Sequence, residues 1–504
     1  SKKELENFFK QNKEWPKINK IKAKLESKKI VTNLKNTLDW FQENPPITPI
    51  AKIKLSEVLM NNQFTEEGHW LLKETWLNNS FSYSEEKYIL KKYKNLITDK
   101  ENSQRLENLI WNKKWGNANR QLKRVSKDIR YLSLAKINLS RRRGNVDQSI
   151  NNVPKNLLSE ESLIYERIKW RRKARLENTS LELLLSYKGK YSYPKKWWRE
   201  INYHTRKQIS YKNYQTAINI LKQYNSSSES YLSESQWLAG WLSLTFNRDS
   251  KSAYEHFSKM FLEVKTPISK ARASYWAGKA SENLGNSNSA QTWYERAAAF
   301  PATFYGQLAL NELNNELYLP SQKLKINDEL FENFKKNELV RALILLLQMN
   351  ERKLARVFSM HLVSQSNNTA DILMLSKILN DFDKISLSIF AGKKAIYKNI
   401  YIPTLNFPVP KEKLLDLIVK NTVIPVPVTL AISRQESAFD TNAKSRAGAR
   451  GLMQLMPRTA RVTAKKNNYK YKRIYLTSRP AYNIKIGSFY FKEMLDKFNG
   501  SYVL

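Results

Sequence analysis

Apolar and aromatic side chains recur three and four positions apart, in segments of 10 to 15 residues, from Leu5 to about Leu313. That period predicts a series of amphipathic helices. Two stretches look alike. Trp237-Leu238-Ala239-Gly240-Trp241 followed by Ala253-Tyr254-Glu255-His256-Phe257 matches Tyr275-Trp276-Ala277-Gly278 followed by Ala290-Gln291-Thr292-Trp293-Tyr294, at an offset of 37 or 38 residues. A weaker echo lies at Trp115-Gly116-Asn117-Ala118. In stacked helical repeats, small residues let neighbouring helices approach and large aromatics fill the groove between them, so the array curves as a solenoid. From Leu330 to about Ile400 the helical period continues without the aromatic repeat, rich instead in Leu and Ile, as in Ala342-Leu343-Ile344-Leu345-Leu346-Leu347. This segment is expected to form a linking helical domain.

Composition supports an all-α chain of several domains. At 504 residues it is too long for one core. It has only 13 glycines, and three prolines between positions 50 and 300, so few breakers interrupt long helices. The character changes at Pro403, Pro408 and Pro410, and the last 104 residues, these three included, hold seven of the 16 prolines. Residues before proline are pushed out of helical geometry, so a different kind of domain is expected to begin there. The absence of cysteine excludes thiol nucleophiles, disulfides and thiolate metal sites. It fits an oxidising compartment and the cytoplasm alike. No stretch approaches 18 uninterrupted apolar residues, so no membrane span is expected. The chain starts without Met and shows no charged-then-apolar leader in Ser1 to Phe9, as a precursor or a trimmed chain would after processing.

The formal charge of +40 creates a field that draws polyanions, or reflects a general abundance of Lys, Asn and Ile. Trp197-Trp198, and Trp170 beside Arg171 and Arg172, have the residue types of a base-stacking platform, but aromatics at helical spacing in a repeat array more commonly pack its core. With no recognisable nucleic-acid module, nucleic acid is not an expected partner. His69, His204, His256 and His361 lack ligand spacing, so no metal is expected.

Candidate chemistry concentrates near the C-terminus. Pro427 to Asp440 reads as a helix that places Val428, Ile432 and Glu436 four apart on one face. A carboxyl extending that apolar stripe would be desolvated and could keep the proton a general acid donates at neutral pH. The alternative is a surface Glu paired with Arg434 or Arg450. Downstream, Gly448-Ala449-Arg450-Gly451-Leu452-Met453-Gln454-Leu455-Met456-Pro457 has two glycines three apart, which allow a ligand close to the main chain. Gln454 offers donor and acceptor to sugar hydroxyls or acetamides, Met453 and Met456 offer adaptable apolar surface, and Pro457 suits the first turn of a following helix.

Arg434-Gln435-Glu436-Ser437-Ala438-Phe439, then Ser445, Gly448 and Gly451 through Pro457, resemble the Glu-Ser and Gly-Leu-Met-Gln motifs of soluble lytic transglycosylases with a goose-type-lysozyme-like catalytic domain. Arg272 through Ala280, and Ala297-Ala298 with Thr303-Phe304-Tyr305-Gly306-Gln307-Leu308, are similar to that family's helical superhelix. The resemblance implies a TPR-like U-shaped superhelical domain over residues 1–325, a helical linker domain over 326–400 that closes a doughnut, and a lysozyme-like, mostly α catalytic domain over 401–504. It implies a periplasmic lyase of cell-wall turnover that cleaves the β-1,4 bond between N-acetylmuramic acid and N-acetylglucosamine and leaves a 1,6-anhydro ring. Peptidoglycan strands would be its partner, together with other cell-wall enzymes, and no cofactor or metal is implied.

Ordinary glycosidases set two carboxylates across the scissile bond. Here the second candidate, Asp440, is expected one turn along the same helix, where a substrate could not be sandwiched between the two. The resemblance implies that Glu436 serves as both acid and base, helped by the substrate's N-acetyl group, with intramolecular attack in place of water. It puts Ser445, Gln454 and Met456, with Gly451 and Met453, along the glycan cleft. Ala481-Tyr482-Asn483 runs into Ile484-Lys485-Ile486-Gly487, which matches the family's Asn-Ile-x-x-Gly segment. The later motif, with a tyrosine and a further carboxylate, is expected beyond Gly500-Ser501-Tyr502, so the catalytic domain is expected to be cut short here. A superhelical scaffold that binds glycan strands or a protein without cutting is the alternative.

Overall fold

With few breakers between positions 50 and 300, the described residues of that stretch fold into a succession of α-helices of 6 to 17 residues, with two short 3-10 turns among them. The structure, a computed structural model, describes residues 2–29, 34–225, 228–316, 326–366, 368–398 and 400–501. The boundary expected at 325/326 falls at the edge of 317–325, which lies outside the described residues, as does Tyr502. Among the described residues every regular element is helical, and the extended backbone is limited to the isolated bridges Lys444 to Arg450 and Arg450 to Leu455. The all-α expectation holds. No single described helix is long and apolar enough to cross a membrane. The chain divides into two compact units, Ser1–Val264 with Lys279–Ala290, and Lys265–Gly278 with Gln291–Leu504.

The first unit is built from consecutive packed helices, among them Pro49–Asn61 with Thr65–Asn78, Glu161–Lys173 with Glu177–Ser186, Pro194–Ser210 with Tyr214–Gln223, and Glu229–Thr245 with Ser250–Glu263. The repeat works as its composition suggests. A Cβ on Gly240 would lie 2.8 Å from the Phe257 ring, so only glycine lets that aromatic into the groove. In the second unit the matching Gly278 would meet Tyr294 at 2.5 Å. The echo at Gly116 is different. Its added Cβ would meet nothing nearer than Arg120 at 3.9 Å, and the buried small residue there is Ala118.

The tryptophans are packing groups, as their helical spacing in a repeat array favours. Trp197 is fully buried, stacked on Tyr187 at 4.9 Å and edge-on to Tyr165 and Tyr191, and its indole N–H donates to Glu161 at 2.7 Å. Trp198 and Trp170 pack against the same unit's apolar clusters. Arg172 donates to the buried Glu200 and lies over Tyr203, so its charge is already answered inside the protein. A buried ion pair joins another pair of helices: Arg105, completely enclosed, meets Glu86 at 3.3 Å and covers the Trp76 ring at 3.8 Å.

His204 is buried in this unit with a ring nitrogen 3.0 Å from the Ser180 hydroxyl. Burial pulls its pKa down to about 4, with the charge of Glu200 opposing. The folded state therefore refuses a proton that the unfolded chain accepts near its ordinary value of about 6.5. Above that pH the group contributes nothing. As pH falls from about 6.5 to about 4 it costs stability progressively, about 3 kcal/mol in all at about 1.4 kcal/mol per pH unit. The thermal midpoint followed by helical circular dichroism is expected to drop across that window, and His204→Gln is expected to flatten the drop. A midpoint equally acid-sensitive in the variant would contradict the assignment.

In the second unit, the Leu-rich run lies on Glu338–Gln348, where Val340, Leu343 and Leu347 face inward while Leu345 is exposed. The proline segment is tied down. Pro403 opens the short helix Pro403–Asn406, and the buried Asn406 side chain accepts from Ile402 N and donates to Gly392 O at 2.8 Å. One apolar core then collects Ile389 from Ile385–Ile396, Ile418 from Glu412–Asn421, Ala438 and Phe439, Leu452, and Ile484 from Pro480–Lys497. Burying groups of this kind is worth roughly 1.5–3 kcal/mol each, and this core holds the candidate site.

Candidate active site

The Glu436 helix runs Val426–Ser437, shorter than the 427–440 expected from sequence. It stops because Ala438 and Phe439 both adopt left-handed backbone, with φ of 51° and 61°. Two consecutive non-glycine residues in that region are costly unless packing holds them. Both are buried in the core with Leu452. Asp440 therefore sits past the helix end rather than one turn along it, and its carboxylate accepts from Asn442 N at 2.9 Å.

The face that this helix buries also differs from the expected one. Thr429, Ser433 and Ser437 point inward, whereas Val428 and Ile432 are only partly covered and Glu436 is exposed. Glu436 does not extend a buried apolar stripe. Spacing alone could not distinguish two adjacent faces of one helix, and the core chose the one with small hydroxyl residues, which allow a close approach. The alternative pairing with Arg434 is not formed either. Arg434 donates to Asn406 O from Nε at 2.8 Å and also from Nη2, and stacks on Phe407 at 4.4 Å, so it fastens the helix to the proline segment. Burial lowers its pKa.

The Gly-Leu-Met-Gln loop is tightly specified. Gly451 N donates to Ala443 O at 2.9 Å, Arg450 and Leu455 exchange both backbone hydrogen bonds at 3.0 and 3.1 Å, and Ser445 Oγ accepts from Ala449 N at 3.0 Å. Gly451 has φ of 75°, and a Cβ there would strike Leu476 O at 2.1 Å. Gly448, with φ of 97°, faces open space. Gln454, itself left-handed at φ 46°, directs its amide nitrogen to Gly451 O at 2.9 Å and Ala443 O at 3.3 Å. Its donors brace the loop, and its side-chain carbonyl accepts no hydrogen bond among the described residues. Pro457 opens the helix Pro457–Lys466, as its sequence position suggests.

The two methionines divide. Met456 is 43% exposed, while Met453 is only 7% exposed and lies against Gly487, where an added Cβ would come within 2.5 Å of its sulfur. Met453 thus supports the loop from below and does not offer surface, contrary to the sequence expectation. Ser445 is exposed and Gly451 buried. The structure brings Gly451, Met453 and Gln454 into one hydrogen-bonded loop, with Ser445 at its near end and Met456 leaving it.

Sequence reasoning gave no role to the residue at the centre of this arrangement. Asn483, fully buried, accepts from Met453 N at 2.9 Å and donates to Arg450 O and Leu476 O, each at 3.0 Å. One side chain satisfies three backbone groups that would otherwise be stranded, at a cost of roughly 1–3 kcal/mol apiece. Its signal was the spacing of Asn483 and Gly487, one helical turn apart, so that the amide grips the loop while the glycine admits Met453. Lys393 was also missed. It extends from Ile385–Ile396 and donates to Gln435 Oε1 at 3.1 Å, beside Glu436.

Residues 418–504 match the family model described as the transglycosylase SLT domain. A 101-residue stretch is 35% identical to a putative soluble lytic murein transglycosylase of Haemophilus influenzae, covering 20% of this chain and 17% of that protein. A 96-residue stretch is 35% identical to the soluble lytic murein transglycosylase of Escherichia coli, covering 19% of this chain and 15% of the relative. The chain thus aligns with less than a fifth of the length of these curated relatives. Its fold is similar over 99% of the chain to that of an inactive mutant of the lytic transglycosylase Slt from Pseudomonas aeruginosa, at 18% identity, a TM-score of 0.72 and 80% coverage of that structure. The 70 kDa soluble lytic transglycosylase of Escherichia coli is similar over 99% of this chain and 79% of its own, at 18% identity and a TM-score of 0.58.

Proposed function

We propose that this chain, a relative of the soluble lytic murein transglycosylases by its SLT domain and its fold, is a lytic transglycosylase of peptidoglycan. In this reading it cleaves the β-1,4 bond between N-acetylmuramic acid and N-acetylglucosamine, forms 1,6-anhydromuramic acid, and serves cell-wall turnover in the periplasm. Residues 1–325 form the superhelical domain, 326–400 the linker domain and 401–504 the catalytic domain. The observation that carries the reading is the mounting of Glu436. It projects from the last turn of a helix whose end is locked into the same core as Leu452 of the Gly-Leu-Met-Gln loop. A carboxyl carried on backbone that is fixed to the same core as a preorganised loop starts each encounter with a glycosidic oxygen from one place.

Glu436 protonates the leaving oxygen and later takes the proton of the 6-hydroxyl, which attacks the anomeric carbon within the same sugar. Acid and base duties fall to one group in turn, and no second carboxylate is required. Because Glu436 is exposed, a bound glycan must itself exclude water from it. Ser445, the Gln454 carbonyl and Met456 contact the sugars, and Gly451 and Met453 give the loop its shape. The same exposure of Glu436 favours a second reading, a scaffold that holds glycan strands without cutting them.

Products decide between these readings. Digestion of purified peptidoglycan, followed by mass spectrometry, is expected to give 1,6-anhydromuropeptides. Reducing-end products would mean hydrolysis, and binding without products would mean a scaffold.

A further inference from the structure

Two cations, Arg434 and Lys393, lie near Glu436, and Lys393 is within electrostatic reach of both other groups. Arg434 is committed to Asn406 O and the Phe407 ring. Lys393 is not committed to the same degree. Its ammonium has one side-chain acceptor, Gln435 Oε1 at 3.1 Å, which leaves two N–H groups directed elsewhere. The lysine is half-buried along its stem, while its ammonium meets Gln435 at the surface, where a ligand can reach it. Burial, then the nearby charge of Arg434, pull its pKa down, and only Glu436 opposes them. A cation with unused donors gains from an anion that arrives with the glycan, since attraction strengthens once the bound strand excludes water.

We propose that Lys393 binds a carboxylate of the substrate beside the bond on which Glu436 acts, so that the site selects acid-bearing glycan strands over neutral ones. The proposal rests on the glycan-cleaving reading above. Peptidoglycan strands carry such groups in two places, the lactyl ether of an unsubstituted muramic acid and the stem peptide. A lysine ammonium is a compact point charge on a flexible stem, suited to a carboxylate that approaches from a variable direction. Lys393 precedes residues 418–504, the matched domain, so the preceding helix completes the specificity of the site. Gln435 positions the ammonium.

The test is calorimetric binding of defined oligosaccharides to the full chain carrying Glu436→Gln, which prevents turnover. The strands are four: alternating N-acetylglucosamine and N-acetylmuramic acid with free lactyl carboxylates, the same strand with lactyl carboxamides, a stem-peptide strand with its carboxylates intact, and that strand amidated. Carboxylate forms are expected to bind about tenfold tighter than their amides, by ~1.4 kcal/mol, and less so in high salt. Adding Lys393→Met is expected to erase the difference without weakening the amide forms, and Lys393→Arg to keep most of it. Discrimination confined to the lactyl pair or to the stem pair supports the proposal and says which group is read. Equal binding of acid and amide before Lys393 is changed, or an equal loss for both after Lys393→Met, overturns it. Failure of every strand to bind overturns both this proposal and the glycan-cleaving reading.

Discussion

Glu436→Gln is expected to lower peptidoglycan turnover by about a thousandfold, within the range of roughly 10²–10⁴ associated with a positioned acid or base. The amide has nearly the same shape but cannot donate or accept the proton that the reaction moves. Glu436 is exposed and contributes no core packing, so helical circular dichroism and thermal midpoint should stay unchanged. Binding of glycan should survive. Turnover that persists in the variant, measured by release of soluble muropeptides, would move the acid to another residue.

Gly451→Ala is expected to have the largest structural effect in the site. A methyl group there meets Leu476 O at 2.1 Å and Asn483 Nδ2 at 2.3 Å, and the backbone sits at φ 75°. Left-handed strain alone costs roughly 1–2 kcal/mol for a residue with a Cβ. The clash adds to it by pushing away the amide that holds Met453 N and Arg450 O. A loss of about 3 kcal/mol or more in stability is expected by urea denaturation, together with a loss of turnover, as for other strained or overpacked sites. Gly448→Ala is the control. It shares the left-handed strain, at φ 97°, but its Cβ would enter open space, so about 1–2 kcal/mol is expected. Equal effects at the two glycines would mean that loop packing around Asn483 is not what fixes the site.

Much of this architecture was readable from spacing. Gly240 and Gly278 were marked as positions where a neighbouring helix approaches, and in each case an aromatic ring occupies the space that a Cβ would take. Helix periodicity located the elements because most bury one stripe. What spacing could not supply was the choice between adjacent faces. Val428, Ile432 and Glu436 form a plausible stripe, yet the core took Thr429, Ser433 and Ser437, one position on. That choice depends on which partners arrive from Glu412–Asn421 and Pro480–Lys497, and these are distant in sequence. The helix end was hidden for the same reason, since left-handed Ala438 and Phe439 have no local signature and are held there by Leu452 and Ile484.

Residue type was also an incomplete guide to role. Gln454 was read as a donor and acceptor for sugar, but its amide protons are spent on Gly451 O and Ala443 O. Met453 was read as adaptable surface, but the space above Gly487 draws it inward. Asn483 bonds three backbone groups scattered over residues 450–476; its spacing to Gly487 marks the position, but the partners it holds are long-range and not encoded there. Lys393 reaches the site from a segment whose composition suggested only a linker.

The proposed reaction requires Glu436 to meet the glycosidic oxygen of a glycan laid along the 445–456 loop. A crystal structure of the Glu436→Gln variant with an uncleaved glycan oligomer tests this most directly. The scissile oxygen is expected about 2.6–3.2 Å from the side chain at 436, with sugar contacts to Ser445, Gln454 and Met456 and no water between. A glycan bound elsewhere, or one that leaves position 436 surrounded by water, would contradict it.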